Sequence, residues 1–202
     1  LSDNFSCYGV DSYNLYHRNK IKNLHEISKR YLIHIDAIMT KTGQSTYHLL
    51  GWSLGGEIAL EIAHILGQRG NHKIKTYILD SIIADDDLLE QMDAQYLKKQ
   101  QKDYRNYAIS RGYTASYIER VIANMEIVHE MRKSRISTKI SNTEVLLFKA
   151  MLSYDMLQSN AHEEYRVHSS THTYNNINRI LGENSTIKLV KGNQVIEYDA
   201  KP

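Results

Sequence analysis

Gly51-Trp52-Ser53-Leu54-Gly55-Gly56 limits this chain more than any other stretch of its 202 residues. On average glycine usage of roughly 7%, a bare G-x-S-x-G arises by chance in about one chain in twenty, so its flanks carry the argument. Ahead of it runs the short apolar segment Tyr47-His48-Leu49-Leu50. Behind it Ile58, Ala59, Ile62, Ala63, Ile65 and Leu66 recur at helical spacing up to Gly70, a candidate C-terminal cap. A strand, a sharp turn and a helix meeting at a serine form a nucleophile elbow, in which small residues let the turn pack against its neighbours. The Ser53 hydroxyl then stands at a helix N-terminus, and the backbone N–H of Leu54 faces a developing oxyanion. The competing reading is a glycine-rich turn whose serine is passive.

The same rhythm extends to both sides. Phe5–Val10 reads as a buried strand, followed by a polar turn over 11–19. Asn23 and Glu26 make a capping box for a helix with Leu24, Ile27, Tyr31, Ile35 and Ile38 on one face. Ile74–Leu79 reads as a strand ending at Asp80, and the alternation of strands and helices predicts a mostly parallel α/β sheet with helices on both faces. From Asp85 the pattern is helical only, broken at Gly112 and restarted by a second capping box at Ser116 and Glu119. Strand character returns at Glu144–Lys149 and Thr186–Val190, with a short helix near Asn176–Leu181. The expected organisation is a first core part over 1–84, a helical lid insertion over 85–139 and a last core part over 140–202.

Composition closes off several classes of function. Lys and Arg number 25 against 23 Asp and Glu, too balanced for nucleic acid as the main ligand. A single cysteine excludes an internal disulfide framework and a thiolate zinc site, which fits a reducing, cytoplasmic compartment. Cys7, on the apolar segment, is expected to be buried and inert. No apolar run approaches membrane-spanning length. The chain starts Leu1-Ser2-Asp3 without a leader pattern, so a piece of a longer polypeptide is expected.

A serine nucleophile needs a base, and the base needs an orienting carboxylate. Asp80 ends the strand that follows the elbow helix, so in a parallel sheet it faces the same carboxyl edge as Ser53. The alternative for Asp80 is a cap on the next helix. His162, His168 and His172 lie in a polar stretch before the last strand. They read mainly as loop residues, with a relocated base or an i,i+4 metal pair as the sharper alternatives. His48 and His64 flank the elbow and read as packing or surface residues.

Residues 47–59 together with Ile78-Leu79-Asp80-Ser81 resemble the thioesterase domains of nonribosomal peptide and polyketide synthases, within the α/β-hydrolase superfamily. The resemblance implies a Ser53 nucleophile, Asp80 as the triad acid and Leu54 as an oxyanion donor. It implies a lid over an acyl channel and a partner, an acyl or peptidyl carrier domain whose phosphopantetheine holds the substrate. No cofactor of the protein's own is implied. Two departures stand out. Cys7–Asp11 matches the strand that follows the family's Gly-rich oxyanion loop, which places that loop upstream of Leu1 and predicts N-terminal truncation. In the second, Leu189–Gln194 puts Gln194 where the family has its histidine base, and an amide cannot accept a proton near neutrality. A degenerate, non-catalytic hydrolase that keeps carrier binding is therefore the runner-up.

Charge divides the expected lid. Residues 80–95 hold six acids and no Lys or Arg, whereas residues 96–139 hold ten bases against four acids. A solvated helix face accounts for such a run. Docking of an acidic carrier is the functional alternative.

Overall fold

The computed structural model describes residues 6–70, 73–134, 139–149, 173–191 and 194–199. Five strands form one sheet in the order β1 (Thr46–Trp52), β2 (Lys73–Leu79), β3 (Thr143–Phe148), β4 (Thr186–Lys191) and β5 (Gln194–Asp199). The first four run parallel; β5 turns back antiparallel on β4. The register lines up Trp52, Leu79, Phe148 and Val190, so the strands reach the carboxyl edge together.

Six α-helices accompany the sheet among the described residues: α1 (Tyr13–Tyr16), α2 (Leu24–Thr42), α3 (Leu54–Arg69), α4 (Asp86–Gln91), α5 (Ala94–Ser110) and α6 (Ala115–Lys133). Helix α2 starts where the Asn23 side chain accepts the Glu26 N–H and stops at Gly43, whose φ of 65° suits the left-handed cap. Leu60, Ala63 and Leu66 of α3 meet Ile74 and Ile78 of β2, Val145 and Leu147 of β3, and Ile187 and Leu189 of β4 in one core. Burial alternates strictly along β1 and β2, and the outward residues Leu50 and Trp52 are 62% and 73% exposed. A smaller cluster joins Ile27 of α2 to Ile127 and Met131 of α6.

The helical run between β2 and β3 comprises α4, α5 and α6. The caps of α4 and α5 are Asp85 and Asp93, each accepting a backbone N–H from three residues on. The boxes drawn from sequence fare unequally. Ser116 and Glu119 do not cap α6: Thr114 stands at its N-cap without a side-chain bond, and both Glu119 oxygens accept from Arg105 of α5.

The expected first strand is absent from what is described of it. Residues 6–10 are exposed coil and Cys7 is exposed rather than buried. An apolar run becomes a strand only with a partner for its backbone groups, and no described strand pairs there. The polar turn after it holds α1 instead, fixed by Asn14, whose side chain bonds both the N–H and the carbonyl of Ile21.

Candidate active site

The elbow begins at the end of β1. Ser53 has φ 53° and ψ −126°, backbone that an L-residue rarely adopts and that costs about 1–3 kcal/mol. Packing holds it there. A Cβ on Gly51 would stand 2.2 Å from the Gly55 carbonyl oxygen, and one on Gly56 would stand 2.0 Å from Ser81 Oγ. Glycine is thus required two residues before the serine and three residues after it. At Gly55, the second glycine of the pattern, an added Cβ would meet nothing within 4 Å. The Ser53 N–H reaches the Leu79 carbonyl at 3.5 Å, tying the turn to β2.

Ser53 sits at the N-cap of α3, yet its hydroxyl makes no cap hydrogen bond. That leaves the oxygen outside the usual structural duty of a serine at such a place. Leu54 is the first residue of α3, where no intrahelical carbonyl exists for its N–H.

Asp80 follows β2 with φ 49°, and its N–H donates to the Phe148 carbonyl at 2.9 Å. It caps no helix; that position belongs to Asp85. Continuing the register by one residue places Ser53, Asp80, Lys149 and Lys191 in a row across four strand ends, and Gln194 pairs with Lys191 across the hairpin. Ser53, Asp80 and Lys149 all line one open cleft of about 250 Å3, with Met92, Tyr96 and Arg132 reaching in from the helical run. Gln194 opens β5 at the far end of that row. His162, His168 and His172 lie outside the described residues. His48 stacks on Tyr77 and bonds its hydroxyl on the outward side of the sheet.

Three features of the site lie outside the serine motif and its flanks as read from sequence. Glu57, in the first turn of α3, is 5% exposed and accepts from Arg132 Nε of α6 at 3.0 Å. Burial pushes its carboxyl above the ordinary value while Arg132 pulls it back. A second buried acid one turn on, Glu61, takes His25 at 2.6 Å. Asn175 and Asn176 form the second feature. Both are buried with positive φ, and their amides donate to the Ser81 and Ile83 carbonyls, fixing the loop under the cleft. An Asn-Asn pair is a signal for left-handed backbone and side-chain-bonded turns. The third is Lys149, 8% exposed at the carboxyl end of β3, where lysine is seldom buried.

No group of three or more metal-ligating side chains is present among the described residues, and no described helix is long and apolar enough to cross a membrane.

A parallel sheet with a strained serine between its strand and helix defines a hydrolase class of fold, and the family comparison agrees. Residues 6–113, more than half the chain, match the family model described as alpha/beta hydrolase fold. The chain belongs to that family. Among solved structures, it is similar to the NocB thioesterase domain in covalent complex with a fluorophosphonate nocardicin G analogue. That match has 15% identity and a TM-score of 0.49, over 88% of this chain and 70% of that one. It is also similar to the Vlm2 thioesterase domain bound with a dodecadepsipeptide (14% identity, TM-score 0.46, 84% of this chain and 66% of that one). A third is the RedJ thioesterase from the prodiginine biosynthetic pathway in Streptomyces coelicolor (15%, TM-score 0.45, 85% and 64%). The chain spans about two thirds of the length of these domains. No curated protein sequence matches it.

Proposed function

We propose that this chain is the core of a serine thioesterase that releases or edits an acyl or peptidyl chain held as a thioester on a carrier domain's phosphopantetheine. The observation that carries the reading is Ser53 itself. Its backbone is held in a costly conformation by two glycine contacts, its hydroxyl caps nothing, and Asp80 stands next to it in register on the same cleft. Strain kept at one residue by its surroundings is a mark of a working site. The choice of a thioester as substrate rests on the sequence resemblance over residues 47–81.

In this reading Ser53 Oγ attacks the thioester carbonyl, and the Leu54 N–H takes part of the oxyanion's charge. Asp80 orients the base. The acyl group passes to Ser53, and water or an internal nucleophile then releases it. The protein uses no cofactor of its own and works in the cytoplasm. Lys98, Lys99 and Lys102, exposed on α5, meet an acidic carrier.

Labelling with a fluorophosphonate tests the nucleophile. Label should map to Ser53 and vanish in Ser53→Ala; a folded wild type that takes no label sinks the proposal. For docking, reversing Lys98, Lys99 and Lys102 to Glu should weaken carrier binding and flatten its salt dependence. Unchanged carrier affinity removes that part alone. The second reading, a non-catalytic hydrolase fold that keeps carrier binding, is favoured by Gln194 at the position where the resemblance expects histidine.

A further inference from the structure

Arg132 belongs to two cavities at once. It lines the cleft that holds Ser53 and Asp80, and it lines a second hollow of about 110 Å3 between α5 and α6. Met92, Tyr96 and Gln100 are shared as well, so the two adjoin along a common wall. The second hollow is apolar along Leu97, Val121, Met125 and Val128 and has no Asp or Glu in its lining; its ionisable side chains are Arg132, His129 and Tyr96.

The guanidinium is engaged on one edge. Its Nε donates to buried Glu57 at 3.0 Å, and no acceptor among the described residues takes a hydrogen bond from either Nη. Neither Nη is sealed from solvent, and the side chain as a whole is 18% exposed. Glu57 thus holds the plane of the group, while the second edge keeps a fork of N–H donors. Such a fork matches the two oxygens of a carboxylate, and holding it in place beforehand lowers the entropy lost on binding.

We propose that Arg132 is the specificity residue of this site and binds a carboxylate carried at the far end of the acyl chain whose thioester end meets Ser53. The methylenes between the two ends rest on Met92 and the apolar wall that continues from it. That the ligand is an acyl chain rests on the thioesterase reading above; the anion site rests on Arg132. An alkanoyl tail laid against the guanidinium would strip water from its donors and offer no acceptor, which is costly, whereas a carboxylate satisfies them. Asp80, the acid of the cleft, repels an anion close to Ser53, so the carboxylate stands away from the thioester rather than beside it.

The test compares ligands within one protein. Glutaryl, adipyl and suberyl chains are joined to aminopantetheine, whose amide replaces the thioester, each beside the carboxamide-ended chain of the same length. Affinities for Ser53→Ala are measured by calorimetry near neutral pH. At the length that fits, the carboxylate should bind about 10- to 100-fold more tightly than its carboxamide, with an advantage that shrinks in added salt. Adding Glu57→Gln alone should keep the advantage; adding Glu57→Gln with Arg132→Gln, which orphans no buried charge, should abolish it. If that protein does not fold, Glu57→Leu with Arg132→Met replaces the pair by apolar residues, a change that buried ion pairs often tolerate. Equal affinity for carboxylate and carboxamide at every length overturns the proposal, and so does a preference that survives loss of Arg132. Fluorophosphonate labelling of wild type separates this from the nucleophile reading. Labelled protein without carboxylate preference sinks the Arg132 site alone; carboxylate preference in a folded, unlabelled protein supports the site and sinks the nucleophile.

Discussion

Helix α3 buries nine of its 16 residues, whereas α5, at 17 residues, buries Ala108 alone. The elbow helix is clamped between α2 and the sheet, with small residues where backbone meets backbone. The helices between β2 and β3 have a different footing. Beyond Ala108, their buried helical residues are Ile118, Ile127 and Met131 of α6. Polar joins do much of the fastening: Arg132 to Glu57, Arg179 to Asp85 and Ser134 Oγ to the Leu24 N–H. One region is fixed by contact, the other by a few directed bonds. A site built where they meet has a rigid nucleophile on one wall and a wall that can shift on the other.

Arg132→Met strikes the join and should have the largest effect. It leaves the Glu57 carboxylate buried without its partner, at a cost of about 3–5 kcal/mol by chemical denaturation at neutral pH. If the variant loses less than about 1 kcal/mol, the helical run does not depend on that pair, and the contrast drawn above weakens.

Gly51→Ala attacks the clamped region. The new methyl meets the Gly55 carbonyl, which is backbone and cannot swing aside. A loss toward the upper end of about 1–3 kcal/mol is expected, together with loss of serine labelling as Ser53 moves. Labelling at the wild-type rate would falsify the claim that packing at Gly51 sets the elbow.

Asn175→Ala removes a buried bond to the Ser81 carbonyl and leaves alanine at a φ of 51°. A cost of about 1–3 kcal/mol follows from the orphaned acceptor. Asn175→Gly should recover the part due to backbone strain, so the difference between the two variants in melting temperature measures it.

Glu57 also supplies a pH dependence with a definite sign. Burial raises its carboxyl above the value of about 4.5 in an unfolded chain, so the folded state holds its proton more tightly. The resulting stabilisation is full below the unfolded value and is lost as pH rises through the raised one. Glu57→Gln cannot ionise and should show no such loss. Melts across the range from pH 4 to 7 should therefore find wild type falling relative to Glu57→Gln as pH increases. Parallel profiles would mean that Arg132 cancels the burial penalty.

The contrast between the two regions also explains which elements are legible in the sequence. Strands β1 to β4 and helix α3 are local patterns: short apolar runs, an Ala/Ile face, and glycines where a Cβ has no room. Asn23, Gly43 and Gly70 mark ends by chemistry within a few residues. What cannot be read there depends on distant partners. Phe5–Val10 has strand composition but no described strand to pair with. Glu119 sits at capping-box spacing yet finds Arg105, a stronger partner on the next helix. Glu57 reads as a surface acid until α6 brings Arg132 to it, 75 residues on. Strand β5 escapes the pattern: Val195 and Ile196 are adjacent apolar residues rather than an alternation, and its pairing comes from a hairpin beyond the strand that reads as the last. For the site, Ser53 and Asp80 are marked by motif, while Lys149 joins them only through the register of three strands.

The smallest predicted effect separates motif from mechanics. Gly55 completes G-x-S-x-G, but a Cβ there meets open space and its φ is not positive. Within the first turn of α3 alanine is the better helix residue, by about 0.5–1 kcal/mol. Gly55→Ala should therefore keep or slightly raise stability, in contrast to Gly51→Ala and Gly56→Ala. If serine labelling is also retained, glycine at this place is not needed to form the elbow. If stability holds but labelling with a bulky fluorophosphonate falls while a small one still reacts, the space above Gly55 is occupied by substrate. Loss of stability in Gly55→Ala would mean that the elbow is more tightly covered than the open contact at this glycine indicates.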